Sequence, residues 1–209
     1  MVKKDTWDKH WEEEETKSTF IGKLITQEKQ SKLWEIALYD VHTVLEIGSG
    51  QGYLTEILEH IAEGYERWIS QRFDYEGIDY SKKSVEICRS KNLNVRQADM
   101  FDLRKKYDLV MSDGILEHHL DYPRLIKKMC SLSNRYVMVI QPNHQSFIIR
   151  LLLLLEMLFK PDKNVYEYNF RIYDYEEEFK RNGFHLEKGE DIFFGGYVML
   201  LFKRGDILP

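Results

Sequence analysis

The hydrophobic and polar positions of this chain predict short strands that alternate with amphipathic helices. Apolar and β-branched runs predict strands at residues 43–47, 75–79, 93–97, 107–112 and 136–141. Apolar residues at helical spacing predict helices at 53–61, 81–91 and 122–132. This order is typical of a parallel sheet with helices on both faces, and Ser81 is a suitable cap for the second helix.

The N-terminal part of the chain differs from this alternating pattern. It carries a charged stretch with Trp7 and Trp11, which precedes a predicted helix at 20–39. We therefore expect a helical extension over residues 1–40 and a single α/β domain over residues 41–209.

The later part of that domain is expected to hold a helical insertion at about 143–172. It contains an apolar predicted helix at 145–160, and a short acidic helix follows at 173–182. Two last strands are predicted at 184–188 and 193–202, where a Gly-Gly pair at 195–196 predicts a bulge or a bend.

A strand that runs directly into three alternating glycines is the most informative local pattern. The sequence VLEIGSGQGYL at 44–54 has its glycines at positions 48, 50 and 52. Glycines there allow a tight turn and a close approach to a ligand, and the following helix start offers N–H groups to a negative ligand end. The dinucleotide-binding fingerprint needs its third glycine where Tyr53 stands. Glu46 is a poor neighbour for a pyrophosphate and a good acceptor for an ammonium group. The loop therefore favours an adenosyl ligand with an aminocarboxylate tail over the nicotinamide dinucleotide of an oxidoreductase.

Acidic residues also follow the next two predicted strands. Asp79 ends the second strand, where a carboxylate can accept both hydroxyls of a ribose. Asp99 follows the third strand. Either aspartate alone could be a solvated loop residue, but three acids after three successive strands predict one shared crevice. The separation of Glu46 from Asp79 exceeds one strand–helix–strand unit, so residues 63–74 form either an extended helix or an inserted loop.

These motifs resemble those of the class I S-adenosylmethionine (SAM)-dependent methyltransferases. Residues 44–54 are similar to the family's first motif, (D/E)xGxGxG, whose loop wraps the methionine part of the cofactor. In the family, an acid at the position of Asp99 bonds the adenine amino group and the next residue packs on the ring. The cofactor-binding residues that the resemblance implies are Glu46, Gly48, Ser49, Gly50, Gly52, Asp79, Tyr80, Asp99, Met100 and Asp113.

The resemblance also implies a fold and a reaction. The fold is a three-layer Rossmann-like sandwich, with a mostly parallel seven-stranded sheet, an antiparallel last strand and helices on both faces. SAM is the expected cofactor and S-adenosylhomocysteine (SAH) its product. Related enzymes often close the cofactor site with an aromatic N-terminal segment, so the extension over 1–40 is expected to cap the site.

The segment after the fourth strand, ILEHH at 115–119, resembles the LEH segment common in methyltransferases of small molecules. The chain lacks the (N/D)PP(Y/F) string of enzymes that methylate bases or glutamine. His118 and His119 are the candidate catalytic bases, with His144 behind them, and a base is needed only if the acceptor must lose a proton. Alternatively, His118 orders the loop by hydrogen bonding.

Composition narrows the class of partner. A net charge of −5 gives no general basic surface, so no nucleic-acid partner is expected. The two cysteines have no metal-ligand spacing, so we expect no metal and a reducing, cytoplasmic setting. No signal peptide and no transmembrane run is predicted. The apolar segment 147–159 is either a buried core helix, a lid over an apolar acceptor, or a peripheral contact with a membrane.

The sequence thus predicts a SAM-dependent methyltransferase that acts on a small, apolar or polar, molecule at oxygen, nitrogen or carbon. One alternative is a methyltransferase that acts on protein or RNA. A second is a catalytically silent SAM-binding subunit of a larger complex. The oligomeric state is not predicted.

Overall fold

The computed structural model describes residues 4–14, 20–33, 41–69, 74–151, 154 and 167–205 of the 209-residue chain. The helices are α1 (Lys4–Glu14), α2 (Phe20–Leu33), α3 (Tyr53–Ile69), α4 (Lys82–Ser90), α5 (Tyr122–Leu132) and α6 (Ile172–Arg181). The strands are β1 (Thr43–Ile47), β2 (Asp74–Asp79), β3 (Val95–Gln97), β4 (Tyr107–Asp113), β5 (Ser133–Pro142), β6 (Phe184–Ile192) and β7 (Tyr197–Arg204). Short 3₁₀ turns lie at Met100–Asp102 and Leu116–His118.

The strands form one seven-stranded sheet in the order β3-β2-β1-β4-β5-β7-β6. Strand β1 pairs in parallel with both β2 and β4, and β7 runs antiparallel between β5 and β6. The predicted Rossmann-like sandwich with an antiparallel last strand is therefore confirmed. The chain order reverses between β1 and β4, and ligands of such sheets bind beyond the carboxyl ends of the strands at this point.

Successive residues of the central strands pack on opposite faces of the sheet. Val110 of β4 belongs to a core shared with Ile126 of α5 and Phe179 of α6. Its neighbour Met111 belongs to the opposite core, which includes Leu58 of α3. This two-residue alternation places helices on both faces and leaves the carboxyl edge of the sheet for polar residues.

The predicted elements between residues 43 and 141 are present; β1 and α5 have the predicted ends, and the other elements have shifted ends. Helix α3 continues to Ile69, so a longer helix accounts for at least part of the separation between Glu46 and Asp79. Residues 70–73 lie outside the described residues. The described residues of the apolar segment are helical at 147–151 and at 154, and the remainder of the predicted helix also lies outside them.

The predicted strand at 193–202 is wrong in its first part. Residues 193–196 form the turn between β6 and β7, so the Gly-Gly pair bends the chain between two strands. Phe193, Phe194 and Gly195 have positive φ angles of 51°, 55° and 72°. Consecutive left-handed residues cannot continue a strand, and the apolar pattern alone does not reveal this conformation.

The start of α4 leads to a stability prediction. The hydroxyl of Ser81 accepts a hydrogen bond from the Ser84 N–H (3.1 Å) and donates one to Asp8 Oδ1 (2.6 Å). Ser81→Ala should lower the free energy of unfolding by about 1 kcal/mol, because the cap is lost. Ser90→Ala, at the other end of α4, should change it by less than about 0.5 kcal/mol. Urea unfolding measures both, and equal effects would contradict the capping role.

Candidate cofactor and acceptor site

A cavity of about 310 Å³ opens at the carboxyl ends of β1, β2 and β4. It lies within the size range of small-ligand sites, about 300–1,000 Å³. The predicted site residues that line it are Glu46, Gly48, Ser49, Gly50, Asp79, Tyr80, Asp99, Met100, Asp113, His118 and His119. The structure therefore brings together residues that are spread over more than seventy positions of the chain.

Gly52 is the predicted cofactor residue that does not line this cavity. Its φ is +82°, and a Cβ atom there would collide with Leu93 Cδ1 and lie 3.1 Å from Cys88 Sγ. The third glycine thus lets the loop approach α4 and Leu93, in the segment before β3, closely. Gly52 therefore affects the shape of the loop through packing. Direct contact between Gly52 and the cofactor stays a prediction.

The glycine loop is held in place from both sides of Gly50. The Gly50 N–H donates to Asp79 Oδ2 (2.9 Å), and the second oxygen of Asp79 accepts from the Ser81 N–H (2.8 Å). The Gly50 carbonyl accepts from the hydroxyl of Ser84 (2.7 Å) and the thiol of Cys88 (3.3 Å). Sequence reasoning missed Ser84, because a serine on the inner face of a predicted helix carries no distinctive signal.

Glu46 is the most buried carboxyl of the cavity wall, with 2% of its surface exposed. The hydroxyl of Thr55, on the first turn of α3, donates a short hydrogen bond to it. Burial raises the pKa of Glu46 to about 7, with the nearby Asp113 adding to the shift and the Thr55 hydroxyl opposing it. The carboxyl is therefore close to half ionised at neutral pH, and a cationic ligand group beside it would favour the carboxylate.

The residues after β3 form the far end of the cavity. Asp99 caps the 3₁₀ turn at Met100–Asp102, accepting from the Phe101 N–H (2.9 Å). Asp99 itself is exposed, whereas Met100 is buried. Phe101 also lines the cavity, and the Arg124 guanidinium lies 4.4 Å from its ring centre. This end combines an accessible carboxylate with an apolar wall, which suits a flat polar ring.

Helix α1 contributes three aromatic side chains to the wall of the cavity. Trp7, His10 and Trp11 line it, and a Cβ atom on Gly50 would lie 2.9 Å from the Trp11 ring. The ring centres of Trp7 and His118 are 5.0 Å apart. Asp8 holds the helix down, since it accepts from the Ser81 hydroxyl at the start of α4. The sequence did not single out Asp8, because it stands in a stretch rich in acids.

The residues after β4 form the opposite end of the cavity. Asp113 pairs with Lys29 of α2 at 2.5 Å, so α2 also reaches the site. Burial lowers the pKa of His119 to about 4, and the charge of His118 adds to this effect. Glu117 lies behind these residues, with 4% of its surface exposed.

Two further findings concern metals and membranes. Among the residues that the structure describes, no group of three or more His, Cys, Asp or Glu side chains could hold a metal ion. None of the described helices is long and apolar enough to cross a membrane.

In the apolar segment, Ile149 is buried, whereas Phe147, Leu151 and Leu154 are exposed. This part of the segment is therefore only half buried, and none of these residues lines the cavity.

Comparison with known proteins identifies similar chains. Residues 13–188 match a family model described as a methyltransferase domain, whereas a search of curated protein sequences gives no match. Magnesium protoporphyrin IX methyltransferase from Synechocystis PCC 6803, solved with bound SAH, has a TM-score of 0.68 and 20% identity, over 96% of this chain and 94% of that one.

Two further solved structures have the same fold. A SAM-dependent methyltransferase from Thermotoga maritima, described as a possible histamine N-methyltransferase, has a TM-score of 0.65 and 16% identity, over 96% of this chain and 98% of that one. A SAM-dependent methyltransferase from Clostridium acetobutylicum has a TM-score of 0.59 and 14% identity, over 88% and 92% of the two chains.

Proposed function

Because the chain belongs to the methyltransferase-domain family and is a class I SAM-dependent methyltransferase, we propose that it methylates a small molecule at oxygen, nitrogen or carbon. The observation that carries the proposal is the shared cavity, in which the glycine loop meets the acids near the carboxyl ends of β1 and β2 and the acid that follows β3. SAH is the expected product.

The residues present fit SAM. Each oxygen of Asp79 already accepts one backbone N–H, and a carboxylate oxygen can accept a second bond, so two ribose hydroxyls can be held. Glu46 would face the ammonium group of the methionine part. Asp99 and Met100 would hold the adenine. Gly48, Ser49 and Gly50 form the backbone wall between these groups.

When bound, SAM supplies a methyl group that its sulfonium already activates. The chain itself has to align the acceptor and exclude water. In this proposal the N-terminal extension over 1–40 caps the site, with Trp7 and Trp11 covering the cavity and the Asp8–Ser81 hydrogen bond holding α1 down. No step of this mechanism needs a metal ion.

The proposed setting is cytoplasmic. Both cysteines, Cys88 and Cys130, are buried free thiols, and burial raises the pKa of each to about 12. Such thiols are poorly ionised and suit a reducing compartment. The apolar side chains at 147, 151 and 154 are exposed. The proposal therefore includes a peripheral contact between this segment and a membrane.

Transfer of a labelled methyl group tests the proposed acceptor class. The protein is incubated with methyl-labelled SAM and an extract of the cells that make it, and the extract is then separated by mass. We expect label in the small-molecule fraction and stoichiometric SAH. Label in protein or RNA would favour a macromolecular acceptor. Cofactor binding without transfer to any fraction would favour a silent subunit.

The two candidate bases differ in their expected contribution. A histidine with a pKa of about 4 is a weak base, so His119→Ala should change kcat by less than about threefold. His118→Ala should lower kcat by about 10²-fold or more if the acceptor loses a proton in the reaction. His185→Ala, at an exposed position of β6, is the control. Retention of kcat within about threefold in His118→Ala, with unchanged SAM affinity, would leave His118 only its loop-ordering role.

A further inference from the structure

Three buried polar side chains, at the carboxyl ends of β4 and β5 and in the turn after β4, have atoms without a hydrogen-bond partner among the described residues. They are Ser112, Glu117 and Gln141, and their unpartnered atoms are Oγ, Oε2 and both amide atoms respectively. Ser112 and Gln141 are completely buried. Native proteins rarely leave such groups unpaired, and each one requires an explanation in a bound group or water.

The strand register places Ser112 and Gln141 on the same face of the sheet. Ser112 pairs with Val139, and Gln141 follows Val139 by two residues along β5. Val139 belongs to the core that also contains Tyr175 of α6. The turn that holds Glu117 is attached to β5 beside Gln141, because the Gly114 N–H donates to the Ile140 carbonyl (3.0 Å).

Glu117 lies directly behind the cavity wall. It stands in the turn between Ile115 and His118, which both line the cavity. Gly114 also lines the cavity, and a Cβ atom there would lie 3.3 Å from Glu117 Oε1. Because position 114 has no side chain, little separates this carboxyl from the end of the cavity where the acceptor would bind.

The charges around Glu117 are mainly negative. Asp113 and Glu167 both raise its pKa, which burial already holds well above its usual range, and Lys29 acts in the opposite direction. Lys29 is paired with Asp113 at 2.5 Å. His118 Nε2 lies 3.9 Å from Glu117 Oε1, beyond hydrogen-bond distance. A positive charge is the group that this cluster would accept most favourably.

We propose that Ser112, Glu117 and Gln141 form a subsite for an ammonium group of the methyl acceptor. An ammonium group has three N–H donors, and these side chains offer a hydroxyl, a carboxylate and an amide oxygen as acceptors. The inference rests on the proposed function, because it assigns the substrate class of the same site. It concerns recognition of the acceptor and leaves the methylated atom open.

Binding of three six-carbon probes to the SAH-saturated protein tests this subsite. Hexylamine, hexanol and hexanoate share their chain and differ in their head group. Calorimetric titration should show hexylamine binding at least tenfold more tightly than the other two. Glu117→Gln should remove this preference and leave the SAH affinity unchanged. Glu187→Gln, at an exposed position of β6, is the control and should keep the preference for hexylamine. Gln141→Met is a second subsite variant, which keeps the Glu117 carboxyl and should weaken this preference.

Several outcomes would overturn the inference. Equal binding of the three probes, or an unchanged preference in both subsite variants, would exclude an ammonium subsite here. A fall in SAM affinity relative to SAH in Glu117→Gln, with hexylamine binding unaffected, would assign the carboxyl to the sulfonium instead. Absence of SAH binding in the unmodified protein would contradict the proposed function itself, so the two failures are distinguishable.

Discussion

Replacing Asp79 with asparagine should lower the affinity for SAM and for SAH by about 10²–10⁴-fold. A hydrogen bond to a charged group contributes about 1.5–3 kcal/mol, and the carboxylate is expected to hold two ribose hydroxyls. The asparagine NH₂ group cannot accept either the hydroxyl or the backbone N–H that now meets the second oxygen. Because both ligands carry the same ribose, both affinities should fall by the same factor.

Calorimetric titration with SAM and SAH measures this effect. Asp102→Asn is the matched control, since Asp102 is an exposed residue of the neighbouring 3₁₀ turn and does not line the cavity. A change of less than threefold in Asp79→Asn, with the fold intact, would contradict the assignment of Asp79 to the ribose. An effect on SAM alone would place Asp79 near the sulfonium.

The second large effect is expected at Glu46, where Glu46→Gln should stabilise the ligand-free protein at pH 8. The pKa of Glu46 is about 7 in the folded protein and has its ordinary value of 4.5 in the unfolded chain, so the folded state binds the proton more tightly. Stability is therefore lost as the pH rises from about 4.5 through 7. A shift of this size corresponds to about 3 kcal/mol at pH 8, which the glutamine variant would not lose.

The same substitution should weaken SAM binding by about 10–100-fold, because the ammonium group loses a buried counter-charge worth about 1.5–3 kcal/mol. In the unmodified protein, SAM affinity should rise with pH up to about 7, as Glu46 ionises. In Glu46→Gln this pH dependence should disappear. Glu46 would then be a residue whose carboxylate lowers stability and serves binding, as is common at functional sites.

Urea unfolding at pH 5 and pH 8, together with titrations at the same two pH values, measures both effects. Glu86→Gln, at an exposed position of α4, is the control. Equal stability changes at the two pH values would show that the pKa of Glu46 is not raised. Unchanged SAM affinity would remove Glu46 from the ammonium site.

The parts of the fold that could be predicted are those with a local pattern. The alternation of strand and helix periods predicted the central sheet, and the first strand was placed at Thr43–Ile47 with the correct ends. The glycine loop and the acids after three successive strands predicted the position of the cavity. Parallel strands bring their carboxyl ends to one edge, so residues that follow successive strands must meet there.

The features that could not be predicted depend on contacts between distant residues. Lys29 and Asp113 are separated by 84 positions, and no periodic pattern connects them. The burial of Glu117 depends on how the turn after β4 packs, which its own sequence does not specify. The turn at 193–196 was missed because Phe193 and Phe194 are strand-favouring residues whose left-handed conformation depends on the surrounding structure.

Thermal unfolding with SAH and with NADH tests most directly whether the cavity is a SAM site. At 100 times its dissociation constant, a ligand adds about 2.7 kcal/mol to the free energy of unfolding. For a chain of this size, SAH should raise the midpoint by roughly 5–10 °C, and NADH should leave it unchanged. A shift with NADH, or no shift with SAH at saturating concentration, would contradict the account.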